Sequence, residues 1–245
     1  EDVPLNKALS SRFYSLNGTW DFRYYTSAAD MPELEQIEGF ELVPVPSCWQ
    51  TLGYERPHYV NFQFPFPADP PFVPNDNPVG VYRRRFSLPA GFDQTVLLHF
   101  AGVSSALALY LNGRYIGYSQ GSHLPAEFDI SAALNQGENL LTAVVYKWCD
   151  GSYLEDQDMF RHNGIFRDVY LLSRPKTYIR DFDFQYSEHG ADFDCRLSLE
   201  LRTEGPCRVS YSLESLSGEV LSASSAAGDT GSVSFTFRAS NPRRW

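Results

Sequence analysis

Four acids fall within a single short string, Asp150, Glu155, Asp156 and Asp158 in DGSYLEDQD. Paired carboxylates are what acid-base cleavage of a glycosidic bond requires, one protonated as acid and one ionised as nucleophile, about 5 to 5.5 Å apart across the scissile bond. In an extended segment Asp156 and Asp158 would share a face at a spacing of roughly 6.6 Å. They would stand side by side on one strand and not face each other across a substrate, so a catalytic pair is disfavoured. Two other readings stay open: a site for a hydroxyl group or a hard, oxygen-seeking cation such as sodium, magnesium or calcium, and a solvated acidic loop.

A second group of candidates lies upstream, where Trp49, Tyr54, Tyr59, Phe62, Phe64 and Phe66 crowd a stretch rich in proline. Aromatic rings can offer a platform to the C–H faces of a sugar, but aromatics are also the largest contributors to any core. Most are expected to pack inward, leaving one or two for a ligand. The five histidines, His58, His99, His123, His162 and His189, are scattered without ligand spacing. No GxSxG elbow, Walker loop or GxGxxG is present, which argues against a nucleotide enzyme. Cys48, Cys149, Cys195 and Cys207 show no CxxC or Cys-His spacing suited to zinc or redox chemistry, and nothing demands that they pair.

These residues must be positioned by strands. Short alternating runs of Tyr, Phe, Val and Leu recur between Gly, Pro and Asn, the pattern of an all-β sandwich, and no long helical periodicity competes with it. Strands are expected over 18–25, 81–87, 95–101, 106–111, 140–148 and 167–173. Asn112-Gly113, between ALALYL and RYIGYS, signals a two-residue hairpin, because both residues tolerate positive φ. Two irregular segments, 44–78 and 149–164, interrupt the strands. The first is longer than ordinary structureless connections of about 12 to 15 residues, so an ordered functional loop is expected. Near Ser173-Arg174-Pro175 the pattern stops and restarts with fewer aromatics. That places a domain boundary there, giving 1–173 and 174–245. About five strands follow, fewer than the seven of an immunoglobulin-type sandwich, so the second domain is expected to be truncated.

The chain has 245 residues with 20 Lys plus Arg against 30 Asp plus Glu, a formal net charge of −10 that repels phosphate backbones and anionic lipid surfaces. Nucleic acid and membrane partners are therefore not expected, and no apolar run approaches the roughly 18 residues of a membrane span. Cytoplasmic residence with reduced thiols is favoured. A periplasmic or secreted form is the alternative, since the chain begins Glu1-Asp2-Val3 without a methionine and a signal peptide could have been removed.

Four strings carry a resemblance that composition does not: PSCWQTLGYERPHYVN from Pro46, PPFVPNDNPVGVYRRRF from Pro70, GRYIGYSQGSHLPAEFDIS from Gly113 and DGSYLEDQDMFRHNGIFRDVYLL from Asp150. They resemble the amino-terminal region of the family 2 β-galactosidases. The last is the most specific, and the likeness runs from about Leu16 to Arg174, continuing weakly to Trp245. It implies a jelly-roll sugar-binding domain (1–173) followed by an immunoglobulin-like β-sandwich (174–245), with the catalytic glutamates in a barrel that this chain does not contain. It also implies substrate-binding roles for Asn61, Asp158 and the neighbouring Phe62, where relatives often carry Val. Asp158 is further implied as a sodium ligand completed by the barrel. The implied parent is a retaining β-galactosidase that uses sodium and magnesium, takes β-galactosides as substrate and forms a homo-oligomer, while the chain alone is expected to be inactive and to bind neither ion tightly. An independent carbohydrate-binding module, or part of a family 2 glycosidase of other sugar specificity, is the alternative.

Overall fold

The computed structural model describes residues 9–61, 64–92, 95–155, 158–228 and 231–242. Backbone contacts divide the chain into two units, Glu1–Ser173 and Arg174–Trp245. In the first unit the strands are β1 (Phe13–Ser15), β2 (Gly18–Tyr25), β3 (Glu41–Val45), β4 (His58–Val60), β5 (Val79–Ser87), β6 (Thr95–Phe100) and β7 (Val103–Ser104). They continue as β8 (Ala106–Leu111), β9 (Arg114–Gln120), β10 (Ala126–Asp129), β11 (Glu138–Tyr146), β12 (Met159–Arg161), β13 (Gly164–Ile165) and β14 (Val169–Arg174). Helical structure among the described residues is limited to short 3-10 turns such as Asp150–Tyr153, and none of it is long and apolar enough to cross a membrane.

A six-stranded sheet in the order β3-β2-β5-β11-β8-β9 faces a four-stranded sheet in the order β1-β14-β6-β10; all pairings of the larger sheet, and β1–β14 and β6–β10 in the smaller, are antiparallel. The main core lies between them. Trp20, Phe22, Tyr82, Leu109 and Leu141 come from the larger sheet, and Leu98, Phe100 and Leu171 from the smaller. The larger sheet is also covered on its other face, where Val79, Val81, Ala108 and Val144 pack with Ile37 and, more loosely, with Met31, Leu34 and Phe40. Burial on both faces explains why ALALYL and ENLLTAVVY read as nearly continuous apolar runs, not as clean alternation. The Asn112-Gly113 turn has φ of 53° and 78°, the left-handed pair that a two-residue hairpin needs, and it joins β8 to β9 as its dipeptide predicts.

The expected strands are all present: 18–25 and 106–111 keep their bounds as β2 and β8, and the other four are shifted by one or two residues at one or both ends. β11 starts at Glu138, because its ladder to β5 already begins at the Glu138↔Ser87 pair, and stops at Tyr146. Beyond it the Trp148 backbone N–H turns to the Asn77 side chain at 2.9 Å. β14 begins only at Val169, since the carbonyl of Asp168 accepts from Ala101 in the neighbouring turn.

Among its described residues the second unit has five strands, β15 (Tyr178–His189), β16 (Asp192–Arg202), β17 (Arg208–Glu214), β18 (Val220–Ala227) and β19 (Ser232–Ala239). They form a β15-β16-β19 sheet and a β17-β18 pair around a small core of Leu199, Leu201, Val209, Val233 and Phe235. All four cysteines are free thiols.

Candidate functional site

The two irregular segments meet. β4, in the proline-rich loop, pairs with β12, at the end of the acidic string, through Arg161↔His58, Phe160↔Tyr59 and Met159↔Val60. Continuing this register by one residue sets Asn61 opposite Asp158. Tyr59, two residues before Asn61, donates its hydroxyl to Asp158 Oδ1. Its bond to Asp158 is the main reason the phenol is held above its usual ionisation range. All three residues are exposed. Together they present an amide, a phenol and a carboxylate, which can donate to and accept from hydroxyl groups.

The remaining acids have separate partners. Asp150 accepts from the backbone N–H of Gly151 within its own turn, at 2.9 Å. Glu155 turns inward and takes both the backbone N–H of Ser122 at 2.6 Å and its hydroxyl at 2.7 Å, which makes it a structural anchor. Asp156 and Phe62 lie outside the described residues. Among the described residues no three of His, Cys, Asp and Glu come together to hold a metal ion.

Behind the strand pair, the loop is braced by aromatics, as the inward-packing expectation holds. Trp49 is fully buried and Tyr54 packs edge-on against Phe22 at 4.9 Å. Phe66 meets Trp148 at 5.1 Å and Tyr153 at 5.4 Å, Phe64 meets Tyr153 at 5.1 Å, and His58 stacks on Trp148 at 6.5 Å. The Tyr153 hydroxyl donates to the carbonyl of Phe72 at 2.6 Å and accepts from the backbone N–H of Asp69 at 3.1 Å, clamping the loop to the acidic segment. Of Trp49, Tyr54, Tyr59, Phe64 and Phe66, Tyr59 is the one left half exposed, at 54%.

A buried polar layer completes the support. Lys147, 4% exposed, pairs with Glu55, whose other oxygen accepts from Trp49 Nε1 at 3.2 Å and Gln50 Nε2 at 3.1 Å. Gln50 and Asn163 bond reciprocally at 2.8 Å, and Asn163 reaches the carbonyl of Lys147 at 3.3 Å. Burial, and secondarily the Lys147 charge, push the His58 imidazole below its usual range. Gly164 follows this layer with φ of 125°, and a side chain there would come within 2.9 Å of the Ser47 carbonyl, so only glycine fits.

The sequence brought out Asn61 and Asp158, grouped Tyr59 with loop aromatics of which most were expected to pack inward, and missed Lys147, Glu55 and Glu155 as organisers. A cavity of about 170 Å³ opens beside β12, with Trp148, Phe160, His162 and Glu155 in its wall, but neither Asn61 nor Asp158 lines it.

Comparison with known proteins matches residues 13–175 to the glycosyl hydrolases family 2 sugar binding domain. A β-galactosidase of Actinobacillus pleuropneumoniae is 48% identical over 206 residues, covering 83% of this chain and 20% of that protein. One from Vibrio vulnificus strain CMCP6 is 50% identical over 179 residues, covering 68% of this chain and 17% of that protein. The chain thus spans about a fifth of the length of these relatives. Among solved structures, a Bifidobacterium dentium β-glucuronidase complexed with coumarin-3-O-glucuronide shares the fold with a TM-score of 0.71 over 95% of this chain and 42% of that one, at 22% identity. An uncultured Clostridium sp. β-glucuronidase gives 0.70 over the same share of this chain and 40% of its own, at 22% identity.

Proposed function

Because the chain belongs to glycosyl hydrolase family 2, through its sugar binding domain, we propose that it is the non-catalytic amino-terminal part of a retaining β-galactosidase. The observation that carries this reading is the Asn61–Tyr59–Asp158 group, which lies within strings resembling that enzyme family, in a chain about half identical to proteins named β-galactosidase. The acid and nucleophile would come from a catalytic barrel in the rest of the polypeptide. The role of this part is orientation. Asn61 and Asp158 hold sugar hydroxyls through bonds that an analogue lacking those hydroxyls could not satisfy, so discrimination and alignment arise on this wall of the pocket.

The residues fit sodium only as part of a shared site: Asp158 offers a hard carboxylate donor, and among the described residues no group of three His, Cys, Asp or Glu side chains gathers to hold an ion. Sodium bound there would bring a positive charge to a galactosyl hydroxyl. No residue of this chain is assigned to magnesium. The alternative of a self-sufficient carbohydrate-binding module makes the opposite prediction for the isolated chain.

The test is hydrolysis of an aryl β-galactoside, with sodium and magnesium present, by this chain and by the longer enzyme that contains it. The expected result is no turnover by the chain alone, turnover by the longer enzyme, and a loss of roughly ten- to a hundredfold with weakened sodium dependence in Asp158→Asn. Turnover by the chain alone, or unchanged kinetics in Asp158→Asn, would refute the assignment. Tight galactose binding by the isolated chain would favour the module.

A further inference from the structure

We propose that Tyr59 is a positioning residue for the sugar-binding carboxylate, fixing Asp158 through one of its oxygens. The inference rests on the galactoside-site reading and adds to it a residue and a division of atoms.

The geometry carries it. Tyr59 donates to Asp158 Oδ1, so a phenol on β4 holds the carboxylate that immediately precedes β12, and both side chains are exposed. Asp158 retains Oδ2, which no hydrogen bond among the described residues engages and which can meet a ligand, and the Asn61 amide offers both a donor and an acceptor beside it. A carboxylate with Oδ1 already engaged acts as a one-oxygen ligand, so a hydroxyl or a hard cation meets it at Oδ2 and not across both oxygens.

The ring is itself fixed. Tyr59 lies directly across the ladder from Phe160, with ring centroids 5.6 Å apart and planes tilted by 57°. With only two side-chain torsions, one of its faces braced and its backbone in β4, the phenol is a stiff arm. Without it, the short Asp158 side chain at the end of a three-pair ladder would choose among rotamers, and a site that must align a sugar loses affinity when its groups have to be ordered on binding.

Two measurements on Tyr59→Phe test this, since that change removes the hydroxyl and leaves the ring on Phe160. In the 245-residue chain, three-bond couplings from the backbone nitrogen and carbonyl to Cγ report the Asp158 χ1 rotamer by NMR. A single rotamer is expected in the native chain and an averaged one in Tyr59→Phe. In the longer enzyme, Tyr59→Phe is expected to raise KM for an aryl β-galactoside and the sodium concentration for half activation about tenfold, with kcat changed less than about threefold. Tyr118→Phe, which removes a hydroxyl bonded only to Gln120 in β9, should change neither.

An Asp158 rotamer that stays single in Tyr59→Phe, or a KM that does not move, would overturn the proposal. A native longer enzyme that hydrolyses no β-galactoside would instead overturn the galactosidase reading and with it the ligand role, while the couplings would still decide whether Tyr59 holds the carboxylate.

Discussion

Replacing Lys147 by methionine probes the layer that joins the two arms of the site. The substitution keeps most of the volume of a side chain that is 4% exposed and removes its charge from beside Glu55. Breaking a buried ion pair by deleting one partner costs about 3 to 5 kcal/mol when the survivor is fully stranded. Glu55 is not fully stranded: it is 20% exposed and keeps the N–H groups of Trp49 and Gln50, so about 2 to 3 kcal/mol is the expected loss. For a unit of this size that lowers Tm by roughly 5 to 10 °C. The assay is urea unfolding of the single variants Lys147→Met and Glu55→Gln and of the double variant. The neutral amide in Glu55→Gln still offers an oxygen to Trp49 and Gln50. The double variant should therefore recover about half of the loss, giving a coupling of at least about 1 kcal/mol. A loss below about 0.5 kcal/mol in Lys147→Met, or strict additivity in the double variant, would refute the claim that this pair holds the loop against the sandwich.

Other outcomes follow from the same structure. The His58 imidazole should titrate below the ordinary 6.5, chiefly because of burial, and its titration should move upward in Lys147→Met as the neighbouring positive charge is removed. With the folded value depressed, the unfolded chain takes up a proton first as pH falls below about 6.5, so stability should decline on the acid side of that point, and His58→Gln should flatten that part of the profile. Titration at or above the free value would contradict it. Hydrogen exchange should be faster in the second unit, whose five-residue buried core contrasts with the continuous core of the first; equal protection of β16 and β11 would count against this.

What the sequence disclosed followed the range of the forces involved. The β8–β9 turn was legible because Asn112-Gly113 carries its own backbone preference, and the strands because local alternation records which face is buried. Asp158 stood out in a local run of acids but received its role from resemblance, and Asn61 was marked by resemblance alone. Tyr59 and the Lys147–Glu55 pair were hidden for a common reason. Tyr59 meets a residue 99 positions away and Lys147 one 92 away, and nothing near either residue hints at the partner. Glu155 misled for the opposite reason: its acidic neighbours suggested a shared site, whereas its contacts with Ser122 draw it under the surface. Phe62 and Asp156 fall outside the described residues, so their sequence assignments rest where they were.

The β4–β12 ladder has only three residue pairs, far too few to hold two strands together in water without support. Its spacing is therefore set from the rear, by Trp148, Phe66, Tyr153 and the Lys147–Glu55 layer. A binding surface mounted in this way can be retuned without altering any group that touches the ligand. A smaller ring at position 66 or 148 would let one arm settle toward the sandwich and change the gap across which Asn61 and Asp158 reach, so selection for a different sugar could act first on residues that never meet it.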